Sequence, residues 1–396
     1  MTQENENKPQ ADSLEPEAET AVEAAPEPEV PKKRQWVTLR GTSMDLRAGT
    51  GIVSDIGHDL KSSVGRPHVC ALARTAEAPA ELVEALRRDL TDEGFLVKTI
   101  DLPSGEKAAD VSAAGALYAS LAAAEVTSDD LVCAVGDERA LSLAGYVCPD
   151  WCGGVMLAVV PLDLRSALLA GVTPRALDAA GVPEMVSRDA QTRFEICDLD
   201  VVGTADADPE DVLFSRAVMV ATAMADSDKA FGKLWDATDE IVAGNRVALC
   251  EQMVETVRSR GKIVASSSLA IRQSIGYGQT FSAALRSLVP AEVPDSAIFA
   301  EAMRFAARLS AGLGNFEIDD VFTQDDLLER LGLGEVRAHV EPEALLAAIK
   351  AERFRRSNRF MLALPRSLGR VRLTLVEEDV LAEHVAAWCG AHDVEA

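Results

Sequence analysis

The chain has 396 residues, of which 48% are hydrophobic and 26% are charged, a balance typical of a folded globular protein. Its 64 acidic and 39 basic residues give a formal net charge of −25, which disfavours binding to nucleic acid or to an anionic membrane surface. No run of about 20 apolar residues is present, so no membrane-spanning helix is predicted, and the N-terminus lacks the apolar stretch of a secretory signal.

The first 35 residues differ in composition from the remainder. They are rich in Asp, Glu and Pro and contain almost no large apolar side chain. Such a segment buries too little surface to offset its conformational entropy, so we predict a disordered acidic tail over residues 1–35. A solvated extension explains this composition more simply than a docking segment does.

Between residues 36 and 208, strand-like and helical patterns alternate. WVTLR (36–40) has the apolar–polar alternation of a half-buried strand, and apolar runs predict further strands at 68–74, 95–102, 130–136 and 155–161. Helical spacing is found at 54–64, 81–93, 111–124 and 139–146. This alternation predicts βαβ units and a parallel sheet, whose ligands bind at the carboxyl ends of the strands.

The pattern becomes mostly helical after residue 208. Apolar residues recur at helical spacing over 209–224, 228–258, 265–287, 294–313, 324–332 and 341–353. Strand-like runs return only at 359–365 and 371–376. The predicted fold class is therefore α/β plus α: a parallel-sheet domain over residues 36–208, then a mostly helical domain over residues 209–396 with a late strand pair.

Histidine and cysteine offer little for a metal site. The histidines lie near the two ends of the chain, with none between residues 69 and 338: His58, His68, His339, His384 and His392. Cys148 and Cys152 have a C-x3-C spacing, but four-coordinate zinc needs a second ligand pair, and none lies nearby. The seven scattered cysteines, an odd number, favour reduced thiols in a cytoplasmic protein over a disulfide framework.

The common phosphate-binding and nucleophile motifs are absent. The sequence has neither a Walker A loop nor a strand followed by G-x-G-x-x-G, and it has no G-x-S-x-G elbow. The nearest match is Gly136-Asp137-Glu138 after the strand at 130–136. One glycine followed by two acids is a poor phosphate cradle, because the acids repel the anion and their Cβ atoms block close approach.

One basic cluster stands out in this acidic chain. The segment 350–360 concentrates Lys350, Arg353, Arg355, Arg356 and Arg359. Arginine clusters bind phosphate or carboxylate through bidentate hydrogen bonds, so a small phosphorylated or carboxylated ligand is one interpretation. The other is a helix C-terminus whose cations complement the helix dipole. These residues alone leave both open.

Several short motifs, read in order, resemble one enzyme family. They are PSGEK (103–107), VGDERALSLAGYV (135–147), ADSDKAFGKL (225–234), IRQSIGYGQTFSAAL (271–285), AARLSAGLG (306–314) and NRFMLALPRSLGRV (358–371). Across about residues 37–390 the chain resembles 3-dehydroquinate synthase of the shikimate pathway. The resemblance implies a Rossmann-like N-terminal domain that holds NAD and a helical domain that holds a divalent metal, usually zinc. It implies a phosphate-eliminating cyclisation, in which NAD transiently oxidises a hydroxyl that the metal polarises. It also implies a homodimer.

The cofactor and substrate positions implied by the resemblance are only partly retained. Gly105, Glu106 and Lys107 match the family's cofactor-contacting Gly-Glu-Lys. Of the triple-glycine turn at the NAD pyrophosphate, only Gly136 survives, and the paired threonines that follow Val-Pro become Leu162 and Asp163. The resemblance implies NAD binding that is weak or lost.

The basic positions of the family are better kept. Arg175 stands where the family has a lysine, and Arg272 matches a substrate-binding arginine. The late Asp-Lys-Lys falls near Arg353, with Arg355 and Arg356 close by. The predicted substrate- or phosphate-binding positions are Arg272, Arg353, Arg355 and Arg356, and Arg175 is a retained basic position only.

The metal-ligand positions implied by the resemblance do not match. The ligand glutamate falls on Ala217, the first ligand histidine on Gln279 and the last ligand near Asp295. Because metal affinity depends on the ligand set, zinc binding is also expected to be weak or lost.

Three hypotheses remain open from the sequence. The chain is a non-catalytic homologue with a binding or regulatory role, or an active but diverged cyclase of a related sugar phosphate. Alternatively, it is an authentic synthase whose ligands come from other positions. The retained Gly105-Glu106-Lys107 and Arg272 favour activity, whereas the mismatched ligand positions favour its loss.

Overall fold

The structure is a computed structural model that describes residues 1–2, 29–65, 68–173, 175–204 and 207–393. Most of the predicted acidic tail, residues 3–28, lies outside the described residues. Across these ranges no helix combines the length and apolar character needed to cross a bilayer.

The N-terminal half is built on a seven-stranded sheet. Its strands are β1 (Lys33–Leu39), β2 (Thr42–Gly49), β3 (Val69–Arg74), β4 (Leu96–Asp101), β5 (Leu131–Gly136), β6 (Met156–Pro161) and β9 (Phe194–Asp198). Between β6 and β9 the chain forms a separate hairpin of β7 (Arg175–Ala179) and β8 (Val182–Arg188). The order across the sheet is β1-β2-β9-β6-β5-β3-β4. β1 pairs with β2 in antiparallel orientation, and the other neighbouring strands are parallel.

Helices cover both faces of this sheet. They are α1 (Ile56–Val64), α2 (Ala80–Asp92), α3 (Glu106–Ala109), α4 (Ser112–Ala123), α5 (Glu138–Val147), α6 (Leu164–Leu169) and α7 (Leu199–Val202). In β3, Val69 and Ala71 pack into one apolar cluster, whereas Cys70 and Leu72 pack into another on the opposite face. Two covered faces explain why the central strands are continuous apolar runs in the sequence.

The C-terminal half is helical apart from one hairpin. It comprises α8 (Pro209–Asp226), α9 (Asp228–Val242), α10 (Arg246–Ala265), α11 (Leu269–Arg272), α12 (Gln279–Arg286), α13 (Asp295–Gly312), α14 (Ile318–Arg330), α15 (Pro342–Phe354), β10 (Met361–Ser367), β11 (Arg370–Leu375) and α16 (Glu378–His392). Its core is continuous with the sheet edge, since Val37 and Met44 belong to the same buried cluster as the helices. The predicted fold class, a parallel-sheet α/β domain followed by a mostly helical domain, is confirmed.

Several boundaries differ from the sequence predictions. The predicted tail ends at residue 35, but β1 already begins at Lys33 and Val30 is buried, because this strand pairs with β2 along its whole length. The stretch 228–258 is two helices, since the Asn245 side chain accepts the N–H groups of Val247 and Ala248 and starts α10 anew. The stretch 265–287 breaks at Gly278, whose φ of 78° interrupts the helix.

Candidate functional site

The sheet order defines where a ligand crevice belongs. From β3 the chain continues to β4 on one side, whereas β5 lies on the other side of β3. In parallel sheets the crevice opens at the carboxyl ends of the strands where the strand order reverses. Thr75 follows β3 there, Gly136 ends β5, and the loop that contains Gly105 follows β4.

Gly136 is explained by internal packing. A Cβ atom at this position would lie 2.7 Å from the Thr75 Cγ2 atom and 3.0 Å from the Ala140 Cβ atom. Thr75 and Ala140 are both fully buried. The space that a glycine leaves open is therefore filled by the protein's own methyl groups, and it does not present bare backbone to a ligand.

Asp137 occupies the corner between the β5 end and the loop after β4. Its Oδ1 accepts the Ala140 N–H at 2.8 Å and so caps α5, while its Oδ2 accepts the Gly105 N–H at 2.9 Å. Both carboxylate oxygens are thus engaged by backbone donors from two different elements. These donors are of the kind that would otherwise hold an anionic ligand. The residues at this turn do not fit a dinucleotide pyrophosphate.

The retained Gly-Glu-Lys forms the exposed start of α3. Gly105 has φ 53° and ψ −138°, a backbone conformation that favours glycine. Glu106 and Lys107 are exposed. The structure therefore brings Gly105 next to the Gly136 turn through Asp137, while the two charged side chains face solvent.

A pair of carboxylates, Asp163 and Asp211, lies at the end of β6, where the α/β half meets the helical half. Asp163 caps α6 by accepting the Ser166 N–H at 2.6 Å, and Asp211 of α8 accepts the Leu164 N–H at 3.2 Å. Burial and the neighbouring charge of Asp163 raise the pKa of Asp211 to about 6. The sequence predictions missed Asp211, because its partner lies 47 residues away and no local signal marks the contact.

Aromatic and guanidinium groups stack beside this pair. The Arg165 guanidinium lies 3.9 Å from the centroid of the Phe214 ring, and the Phe214 ring stacks on Phe299 at 5.6 Å. The stack runs from α6 through α8 to α13. The stack therefore links α6 of the α/β half to two helices of the helical half.

The positions implied as metal ligands do not form a ligand set. Ala217 is fully buried in the α8 core, whereas Gln279, at the start of α12, is exposed. Asp295 is paired with Arg286 at 3.3 Å. Among the described residues, no three His, Cys, Asp or Glu side chains are grouped so that they could hold a metal ion. One carboxylate, one neutral amide and one methyl group do not fit catalytic zinc, which takes about three protein ligands.

The start of α13 lines an open cleft of about 550 Å³, which includes Asp295 and Glu292. Arg286 in this cleft donates to the Val293 carbonyl at 2.6 Å as well as to Asp295. Both carboxylate oxygens of Glu210 accept hydrogen bonds from Ser296, each at 2.7 Å. The polar groups here therefore satisfy one another and fix α8 against α13.

The C-x3-C pair also gives no metal site. Cys148 is buried, which raises the pKa of its thiol to about 12, whereas Cys152 is exposed. A thiol held in its neutral form is a poor metal ligand. All seven cysteines are unpaired.

The predicted basic positions are partly occupied by contacts within the chain. Arg272 donates to the Ser266 and Ser267 carbonyls at the end of α10. Arg175 begins β7, and its side chain lies outside the described part of the structure. Both residues were predicted from the resemblance, and Arg272 is held by carbonyls of its own chain.

The arginines at and after the end of α15 form a surface, here called the arginine surface: Arg353, Arg355, Arg356 and Arg359. Arg353 is half-buried in the last turn of α15, and the other three are exposed. Arg355 and Arg356 both pair with Glu352. Arg356 also donates to the Pro183 and Glu184 carbonyls at 3.0 Å each, which ties this surface to the β7–β8 hairpin. Contacts within the chain therefore already occupy part of the hydrogen-bonding capacity of these guanidinium groups.

Comparisons with known proteins agree with this fold. A 3-dehydroquinate synthase of Xylella fastidiosa is 28% identical over 338 residues, which are 82% of this chain and 90% of that protein. The 3-dehydroquinate synthase of Streptomyces coelicolor is 26% identical over 263 residues, which are 65% and 71% of the two chains. No protein-family model matches the chain. These relatives confirm the resemblance inferred from the motifs: the chain is a diverged homologue of 3-dehydroquinate synthase.

Solved structures show the same architecture. A 2-deoxy-scyllo-inosose synthase, solved with carbaglucose-6-phosphate, NAD+ and Co2+, has a TM-score of 0.75 at 14% identity and covers 90% of this chain and 99% of its own. The 2-epi-5-epi-valiolone synthase of Streptomyces hygroscopicus, solved with NAD+ and Zn2+, has a TM-score of 0.73 at 14% identity with the same coverage. At these identities the likeness establishes the fold of sugar-phosphate cyclases and not their activity.

Proposed function

We propose that this chain is a dehydroquinate-synthase-like protein that does not catalyse the synthase reaction and that has a binding role. The observation that supports the proposal is the donor set at the implied metal positions, Ala217, Gln279 and Asp295. Two of these three side chains cannot replace the family's charged or imidazole ligands, and the third is paired with Arg286.

The loss of synthase activity follows from the chemistry of those donors. Even changes outside the ligand shell lower metal affinity or activity by about 10–100-fold, so losing two ligands costs far more. Without a metal, the hydroxyl that is to be oxidised is not polarised. Among the residues that the structure describes, no other group of three His, Cys, Asp or Glu side chains is placed to replace these ligands.

The binding role is assigned to the arginine surface. Arg355 and Arg356 are exposed guanidinium groups that share one carboxylate, Glu352, so the pair keeps excess positive charge. Guanidinium groups suit a small phosphorylated or carboxylated ligand. The unpaired thiols support a reducing, cytoplasmic location. A homodimer is also part of the proposal.

Metal analysis and genetic complementation test the loss of synthase function together. The purified full chain is titrated with Zn2+ and Co2+, and the chain is expressed in a bacterium that lacks its own dehydroquinate synthase. The Streptomyces coelicolor relative serves as the positive control in both assays. We expect no stoichiometric metal and no growth without aromatic amino acids.

The opposite results would favour the alternative of an active diverged enzyme. One tightly bound metal per chain, with growth restored by the chain, would overturn the proposal. Stoichiometric metal without growth would place a ligand set outside the three assigned positions. The loss of metal binding that we infer from Ala217 and Gln279 would then be wrong, because other side chains would form the ligand set.

A further inference from the structure

The strongest unexplained contact in the crevice is the double hydrogen bond of Asp137. A residue that caps a helix needs one side-chain oxygen for the N–H groups of the first turn. Asp137 uses Oδ1 in this way on Ala140, but its Oδ2 reaches Gly105, which lies 32 residues earlier in the chain. The second bond joins the loop after β4 to the N-terminus of α5.

We infer that the Asp137 carboxylate is a built-in anion that fills the phosphate-accepting corner of the crevice, so that this corner excludes phosphate-bearing ligands such as dinucleotides. The corner has the features that hold phosphates in α/β folds: the N-terminus of a ten-residue helix, a glycine at the strand end and a second backbone donor. In this chain a covalently attached carboxylate takes both donors.

Packing and charge both act against displacement of this carboxylate. Thr75 and Ala140 occupy the space over Gly136, so an incoming phosphate cannot approach the backbone there. Asp163 at the next strand end adds negative charge, and the charge of Asp137 is among the causes that raise the pKa of Asp163, after burial. A phosphate would have to displace one anion in the field of another.

An ordinary helix cap and an anion that fills the corner predict different results on substitution. Asp137→Ser keeps an efficient capping oxygen for Ala140 but removes the charge and the reach to Gly105. Asp137→Asn keeps the side-chain shape and a capping oxygen but cannot accept from Gly105. Glu138→Gln is the matched control for the loss of one negative charge at this turn, with the Asp137 hydrogen bonds kept. Its carboxylate is adjacent, and in the described part of the chain it has no hydrogen-bond or ion-pair partner.

The experiment is calorimetric titration of the full chain with inorganic pyrophosphate and, separately, with NAD at low ionic strength. We expect no measurable binding by the wild-type chain at millimolar ligand. Asp137→Ser and Asp137→Asn should each gain pyrophosphate binding with a dissociation constant of about 1 mM or lower, whereas Glu138→Gln should, like wild type, show no measurable binding. Circular dichroism confirms that each variant is folded.

Amide NMR of the wild-type chain keeps the inference testable if the variants fail to fold. The Gly105 and Ala140 amide hydrogens should be protected from exchange with solvent. Their chemical shifts should not change with 10 mM pyrophosphate, a concentration about tenfold above a dissociation constant of about 1 mM. Micromolar NAD binding by the wild-type chain, ligand-induced shifts at these amides, or Asp137 variants that bind no better than Glu138→Gln would each overturn it. None of these readouts depends on turnover, so their failure is distinct from failure of the proposed loss of synthase activity.

Discussion

Replacing Asp211 by Asn should stabilise the protein at neutral and alkaline pH. The pKa of Asp211 is raised from 3.8 to about 6 by burial and by the charge of Asp163. Between these two values the folded chain holds a proton that the unfolded chain has released. Stability from this group is therefore fully present below about pH 4 and is lost as the pH rises through about 6.

The magnitude follows from the size of the shift. About two pKa units at ~1.36 kcal/mol each give at most ~3 kcal/mol of destabilisation above pH 7. Asn removes the charge and keeps one oxygen for the Leu164 N–H, but it loses the second acceptor, which costs about 0.5–1.5 kcal/mol. We therefore expect Asp211→Asn to raise the free energy of unfolding by at most about 1.5–2.5 kcal/mol at pH 8.

Urea denaturation at several values between pH 4.5 and 8 measures this effect. Asp236→Asn is the control, because it removes one negative charge from an exposed position on the neighbouring helix α9. The gain for Asp211→Asn should grow with pH, while that of the control should stay within about 0.5 kcal/mol of zero. A gain that is equal at pH 4.5 and pH 8 would refute the assignment of a buried, repelled carboxylate.

Three further predictions test packing and the arginine surface. Gly261→Ala places a methyl group 2.3 Å from the Val37 side chain of β1 and should lower the free energy of unfolding by about 1–3 kcal/mol in urea denaturation. The control Gly232→Ala lies in open space on α9 and should raise the free energy of unfolding by up to ~1 kcal/mol. Equal effects of the two substitutions would contradict the close contact of α10 with β1. Trp388→Phe removes the 2.8 Å hydrogen bond to the buried Glu301 carboxylate and should cost about 1–3 kcal/mol, so an unchanged urea midpoint would show that water replaces it. Arg355→Gln should weaken binding of inorganic phosphate or citrate severalfold in calorimetric titration, and a full-chain protein that binds neither anion would remove the proposed ligand class.

The sequence predicted the elements whose pattern is local. The central strands β3, β5 and β6 are apolar runs because both faces are covered, and the long helices show regular apolar spacing. β2 was missed because it carries charges. Asp45 on β2 is almost fully buried, yet it is bound by Arg34 and Arg47, and this pairing is not visible in a hydrophobic pattern.

The site was harder to predict, because its contacts join distant parts of the chain. The Gly136-Asp137-Glu138 turn could be recognised as a poor phosphate cradle from its residue types alone. That Asp137 binds Gly105 and that Asp211 binds the start of α6 depends on how the loops and the two halves meet. The arginine cluster was visible in the sequence, but the use of Arg356 to hold the β7–β8 hairpin was not.

The most direct measurement of the central claim is phosphate release from the synthase substrate by the purified full chain. The assay contains added Zn2+ and NAD, so that a weakly held cofactor cannot limit the result, and the Streptomyces coelicolor relative is measured in parallel. We expect release no faster than in a blank without protein, because Ala217 and Gln279 cannot hold the metal. Phosphate release by this chain that is abolished by a chelator would contradict the proposed loss of synthase activity.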